Sequence, residues 1–272
     1  MGVRIQMIVS TIDSGIGNRI KCLLSCMRLD DDVKLLWHRN RFTACGFNEL
    51  FENDFEVDSV PGGADTRFNW RWLVKDTDDI PQGFAKENKD YENNKLRKKI
   101  EENEGRNIDF EYERIPQDLI DDYVKQVDKL IPVEYIRDEV SKFSLKNFDK
   151  DTVSIQMRSW ADDARRAKMF NIKSYFEHMD KCTGKFFVSA DHQSCIDKLK
   201  ERYPDRIIEY PKRGSGDYSP GTSYMATKEA SQDAIIEMYL LGCNPTIIGS
   251  YLSSYVEVGW IFGRCKGKVI IA

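Results

Sequence analysis

The sequence contains no apolar run approaching the roughly 20 residues of a bilayer-spanning helix. Its opening lacks the charged-then-apolar pattern and cleavage site of a secretory leader. Gln6 stands where a myristoylation signal wants Ser or Thr. Neither a membrane span nor a lipid anchor is expected. The seven cysteines (Cys22, Cys26, Cys45, Cys182, Cys195, Cys243, Cys265) form no C-x-x-C pair, which argues against a zinc cage. Their odd number and scatter argue against a disulfide framework. Most sit beside apolar residues and read as small core fillers, so a reducing, cytoplasmic setting is the expectation. An excess of one charge is missing too. Lys+Arg total 41 against 45 Asp+Glu, a balance of −4, so no global field draws the chain to nucleic acid or an acidic membrane surface.

Some chemical signatures are also absent. Neither a phosphate loop ending in Gly-Lys-Ser/Thr nor a full dinucleotide fingerprint occurs. Asp76-Thr77-Asp78 has the D-x-D form used by metal-dependent sugar transferases, but it ends no apolar strand and reads as a solvated turn.

What is present is a 272-residue chain with 41% apolar residues, enough for one large domain or two small ones. Val3, Ile5, Met7 and Val9 alternate as a strand. A glycine turn, Thr11–Arg19, comes next, and then Ile20, Leu23, Leu24 and Met27 recur at helical spacing. In that layout free N–H groups at a helix start can receive phosphate, although Asp13 or Ser14 serves equally well as a mere cap. Val33–Trp37 reads as the next strand and Phe47–Phe51 as a short helical turn. Residues 62–115 change character, and Lys86–Arg114 is nearly all charge and Asn, an excursion rather than core. Gln117–Ile131 regains helical periodicity, and Val140–Phe148 leads into the second half.

The chain is organised around Thr152–Arg166. Val153–Met157 alternates as a half-buried strand and delivers Arg158, then Asp162 and Asp163. A cation followed by carboxylates at a strand end can hold a leaving diphosphate while deprotonating an acceptor; a solvated surface loop is the bland alternative. Lys185–Ser189 is a strand ending at Asp191, followed by a helix carrying Ile196, Leu199 and Tyr203, and by a short strand, Ile207-Ile208. Gly214–Thr222 is long enough for a mobile cover. Ser231–Leu241 is a helix with Ser231 as cap. Its Asp233 and Glu237 share one face, and burying them requires a donor, either a ligand base or a neighbouring Lys or Arg. Thr246–Ser250 is a strand that meets a hydroxyl-rich helix start, Tyr251–Tyr255, and Lys268–Ile271 closes the sheet. The expected fold is α/β: two Rossmann-like lobes, 1–148 and 149–272, with a ligand cleft at the carboxyl ends of their strands.

Gly15-Ile16-Gly17-Asn18-Arg19 resembles the opening G-x-G-N-R/Q segment of NodZ-type fucosyltransferases, a superfamily that includes α1,6- and protein O-fucosyltransferases. Val153–Asp162 resembles their H-x-R-x-x-D segment, and Phe187–Asp191 their strand ending in Thr/Ala-Asp. Gln232–Glu237 through Ser254 resembles their third motif, an acidic helix, a buried strand and G-S-x-x-S-S/T. The match spans both ends and the middle of the chain and omits residues 62–140. Gln156 replaces the family's histidine, Glu237 corresponds to the acidic residue used on guanine, and Arg158 to Asp162 is one residue longer than the family spacing.

The resemblance implies a GT-B fold, an inverting reaction without a required metal, GDP-fucose as donor and a glycan or glycoprotein as acceptor. UDP-xylose or another GDP-deoxyhexose is the alternative donor. It implies donor contacts at Gly15, Gly17, Asn18, Arg19, Gln156, Arg158, Asp191, Arg213, Asp233, Glu237, Ser250, Ser253 and Ser254. Arg158 is expected to take the diphosphate, Asp162 to act as base, and Asp163 and then Asp13 to stand as alternatives. Two rival classes are a nucleotide-sugar-binding module without catalysis and a sulfotransferase-like enzyme. The latter needs a lysine that Ser14–Arg19 lacks.

Overall fold

The computed structural model describes residues 8–10, 15–29, 33–40, 43–57, 67–68, 117–160, 166–213, 227–250 and 253–272. The expectations for Val3–Met7, Asp13, Ser14, Asp76–Asp78, Lys86–Arg114, Asp162, Asp163 and Gly214–Thr222 lie outside these residues.

Two parallel sheets form. The first joins β1 (Ile8–Ser10), β2 (Val33–Leu36), β3 (Glu56–Val57) and β4 (Arg67–Phe68) in the order β3-β2-β1-β4. The second joins β5 (Val153–Met157), β6 (Phe186–Ala190), β7 (Ile207–Ile208), β8 (Thr246–Gly249) and β9 (Lys268–Ile271) in the order β7-β6-β5-β8-β9. The chain builds outward from β5 in one direction and then, through β8, in the other. That reversal is where open α/β sheets receive ligands, at the carboxyl ends of the strands.

Parallel pairing requires crossovers, and those of the second sheet carry α-helices. The described helices are α1 (Ile16–Leu29), α2 (Gln117–Val127), α3 (Glu134–Asn147), α4 (Ile172–Met179), α5 (Gln193–Arg202), α6 (Lys228–Gly242) and α7 (Ser254–Phe262). Helices cover both faces of the second sheet, so β5 is not half-buried as its alternation suggests: all of Val153–Met157 is buried. Ile155 and Met157 join a core with Tyr175 and Met179 of α4 and Ile196 and Leu199 of α5. On the opposite face Ser154 donates to the Leu241 carbonyl of α6 at 2.8 Å.

Helix α6 begins earlier than its apolar run. Its cap is Thr227, whose side-chain oxygen accepts from the Ala230 N–H, and not Ser231. Ser231 lies inside the helix and donates to the Thr227 carbonyl at 3.0 Å.

Helix α1 is also more enclosed than its apolar stripe requires. It is buried nearly all round, Arg19, Lys21 and Ser25 included, because α7 and α2 pack on it besides its own sheet. Lys21 Nζ meets Glu257 Oε2 of α7 at 2.6 Å inside this contact. A Cβ on Gly17 would sit 3.1 Å from the Ser254 backbone, so glycine there lets the starts of α1 and α7 abut. One core cluster runs from α1 through α7 and α6 to Phe187 of the second sheet. Among the described residues no helix is long and apolar enough to cross a membrane.

Candidate functional site

β5 and β8 are hydrogen-bonded neighbours, with Gln156 opposite Gly249, so Arg158 and Ser250 leave the sheet side by side. The Arg158 N–H donates to Ser250 Oγ at 2.7 Å. That hydroxyl lies 2.6 Å from Tyr175 Oη, which donates to the Gln156 carbonyl at 2.9 Å. Burial pushes the Tyr175 phenol pKa up, so it remains a neutral donor. The backbone from Gln156 to Arg158 is therefore pinned by a side-chain network that reaches two other elements.

Asp191, at the exit of β6, fixes the turn after Arg158. It accepts from the Ser159 N–H at 2.9 Å, the Ser159 hydroxyl at 2.8 Å and the Trp160 N–H at 3.1 Å. It also takes Arg158 Nη1 at 3.2 Å. The Arg158 guanidinium carbon lies 4.3 Å from the Trp160 ring centroid. Among the described residues its Nε and Nη2 donate to no protein group, and the side chain is 36% exposed. An anion can thus be offered the two-pronged edge of a guanidinium that is already held in place.

Gln156 is buried, on the α6-facing side of β5 shared with Ser154, and Ser189 of β6 is its register partner. Its Oε1 is buried without a hydrogen-bond partner among the described residues. An unpaired buried acceptor costs about 1–3 kcal/mol.

The α6 carboxylates are not presented bare. Asp233 receives the Arg213 N–H at 2.6 Å on one oxygen and Arg213 Nε and Nη2 at 2.9 and 2.7 Å on the other. Arg213 also rests on the Tyr135 ring, 4.4 Å from its centroid. Glu237 accepts from the Ser189 hydroxyl at 3.0 Å and the Tyr255 hydroxyl at 3.3 Å. Lys212 Nζ lies 3.3 Å from its other oxygen, an ion pair by distance without hydrogen-bond alignment. Burial raises the Glu237 pKa, and Lys212 and Ser189 offset only part of this. Of the two donors considered for these carboxylates, a ligand base or a neighbouring cation, the fold supplies the cation to both.

Arg19 is held from within the protein. It is 2% exposed, donates to the His38 carbonyl and to Asn40 Oδ1 at 3.0 Å, and lies over Trp37 at 4.9 Å. A buried guanidinium needs such partners, and this one finds them at the exit of β2. At the start of α1, a Cβ on Gly15 would meet nothing within 4 Å among the described residues, and Asn18 is half-buried. Ser253 caps α7 by accepting from the Val256 N–H. The abutting starts of α1 and α7 bring together two helix ends of positive dipole character.

The structure therefore gathers Gln156, Arg158, Asp191 and Ser250 at the exits of β5, β6 and β8. It joins Gly17 to Ser254 and pairs Arg213 with Asp233. Sequence reasoning missed Ser159, Trp160, Tyr175, Ser189, Lys212 and Tyr255 as their partners. One usable signal was the Lys212-Arg213 pair, the only basic doublet between β7 and α6, two cations for the two acids of α6. Among the described residues no group of three or more His, Cys, Asp or Glu is placed to hold a metal ion.

No family model and no curated protein matches the sequence. Solved structures do match the fold. NodZ, an α-1,6-fucosyltransferase from Bradyrhizobium soaked with GDP-fucose, aligns with a TM-score of 0.55 at 14% identity, over 94% of this chain and 92% of that one. POFUT1 in complex with GDP-fucose aligns with a TM-score of 0.53 at 12% identity, over 97% and 96%. FUT1 of Arabidopsis thaliana in complex with GDP aligns with a TM-score of 0.50 at 13% identity, over 98% of this chain and 70% of that one. The chain shares with these proteins an α/β, GT-B-type fold.

Proposed function

We propose that the protein is a metal-independent inverting glycosyltransferase that moves L-fucose from GDP-fucose to a hydroxyl of a glycan or glycoprotein. The observation that carries this reading is the immobilised Arg158 at the strand-order reversal, with its Nε–Nη2 edge left to an anion. Support comes from NodZ, soaked with GDP-fucose, and POFUT1, solved in complex with it, which have the same fold.

In this reaction the bond from the anomeric carbon to the β-phosphate oxygen breaks, and its electron pair leaves with GDP. The acceptor oxygen forms the new bond on the opposite face, and its proton passes to a carboxylate. Asp162 is assigned as that base, with Asp163 and Asp13 as alternatives. Arg158 offers a bidentate, charge-assisted contact to the diphosphate as negative charge builds. The N–H groups at the starts of α7 and α1, beside Ser253, Ser254, Gly15 and Gly17, share that charge. The orphan Gln156 Oε1 takes a donor from the nucleotide or sugar. Asp191, Arg213, Asp233, Glu237 and Arg19 hold this surface in shape, and Ser250 positions Arg158. Residues 1–148, with the charged stretch 62–115, are assigned to the acceptor, and residues 149–272 to the nucleotide sugar. The seven cysteines are free thiols, which supports a reducing, cytoplasmic setting.

The test is a thermal-shift screen with GDP, GDP-fucose and UDP, followed by a transfer assay with and without EDTA. A nucleotide at 100 times its dissociation constant should add about 2.7 kcal/mol of stability. GDP should stabilise more than UDP, and transfer should survive EDTA. Preference for UDP overturns fucose as the sugar; loss of activity in EDTA with recovery in manganese overturns the metal-free reaction. No response to any nucleotide sinks the reading as a whole.

A further inference from the structure

We infer that Trp160 is a positioning residue that holds the Arg158 guanidinium in the orientation the donor diphosphate requires, an inference that rests on the donor-site reading above. Trp160 has φ 54, in the left-handed region that bulky side chains rarely occupy. The conformation is held by Asp191, which takes the Trp160 N–H on one oxygen and both donors of Ser159 on the other. With the backbone so turned, the indole lies against the guanidinium two residues earlier, 4.3 Å from ring centroid to guanidinium carbon. The carboxylate that fixes the turn also receives Arg158 Nη1.

The guanidinium is thus held over its face by the indole and at one end by the carboxylate, which leaves the Nε–Nη2 edge for the ligand. An arginine on an unsupported loop must surrender its rotamer freedom when it binds; this one surrenders it on folding. Glycine fits such a φ without strain, so the turn alone gives no reason for a large aromatic residue. Backbone strain at a bulky residue, stacked on the cation assigned to the ligand, points to use of the ring.

The experiment compares Trp160→Gly and Trp160→Phe in the wild-type and Arg158→Ala backgrounds. The readouts are Tm, GDP affinity by calorimetry, and kcat and KM for donor. Trp160→Gly relaxes the strained backbone, so Tm should stay level or rise. GDP binding should weaken about fivefold through loss of the cation–π contact, and kcat/KM should fall about tenfold or more through loss of orientation. Trp160→Phe should keep most of both, since a ring face remains. In the Arg158→Ala background Trp160→Gly should change neither, because the residue it acts through is gone. Equal losses in both backgrounds, no loss in either, or a loss that tracks a lower Tm and is shared by Trp160→Phe would overturn the inference while leaving the donor reading intact. A wild-type protein that binds no GDP overturns both.

Discussion

Arg158→Ala should separate catalysis from folding, because the protein contacts of Arg158 and the edge proposed for the diphosphate use different nitrogens. The stability at stake is small. The pair with Asp191 is 36% exposed on the arginine side, and such pairs contribute about 0–1 kcal/mol. The contact with Trp160 adds about 0.5–1 kcal/mol. Asp191 keeps the donors of Ser159 and Trp160 in the variant, so the loop retains its anchor. A loss of about 0.5–2 kcal/mol should lower Tm by only a few degrees in a chain of this size. The transition-state contribution should be larger. Removing a fixed donor from a developing anion costs about 3–4 kcal/mol, or 10²–10³ in rate. Arg158→Lys keeps charge without the fork and should recover only part of that. Donor affinity by calorimetry, kcat by sugar transfer and Tm should be measured on the same preparations, with Asp162→Asn as a contrast that lowers kcat but leaves GDP affinity in place. Turnover of Arg158→Ala within about fivefold of wild type would refute the assignment, since an anion contact of that kind cannot be worth so little.

The fold was legible wherever a period is local. β2, β7, β8 and β9 lie within a residue of where alternation and turn residues put them. Helix α4 was missed because Tyr175 and Met179 mark its buried side among Lys173, Glu177 and His178, too short a pattern to stand out. The cap of α6 was misread because its first turn, Lys228-Glu229, faces solvent and hides a helix already under way. The enclosure of β5 and α1 depends on which layer lands on them, and one segment's pattern does not carry that information. At the site, residues at strand ends were legible: Arg158, Asp191 and Ser250 come together because parallel neighbours in register must leave the sheet at the same edge. The ion pairs were not. Lys21 and Glu257 are 236 residues apart, and Lys212 could have served any carboxylate within reach. Only tertiary packing decides such partnerships, and it brings the segment after β7 against α6 so that its acids meet protein cations.

Substitutions at two further sites test that packing. Lys21→Met removes the cation beside Glu257 inside the α1–α7 contact and should destabilise by about 3–5 kcal/mol, whereas Lys21→Met with Glu257→Leu should recover most of it, as read by denaturant unfolding. A single variant as stable as the pair would show that the ion pair does not hold the helices together. Glu237→Gln should act in the opposite direction. Burial raises the Glu237 pKa above the ordinary 4.5, more than Lys212, Ser189 and Tyr255 lower it, so the folded protein binds that proton more tightly than the unfolded chain. Stability from the neutral form is present below the unfolded pKa and is lost as pH rises through the folded one. Glutamine copies the neutral form at every pH and still offers an oxygen to Ser189. The variant should therefore be the more stable protein at pH 7, and its Tm advantage should shrink on acidification and vanish near pH 4, where wild type is protonated in both states. A Glu237→Gln variant less stable than wild type at neutral pH would mean that attraction to Lys212 outweighs desolvation, and the cause assigned to the shift would be wrong.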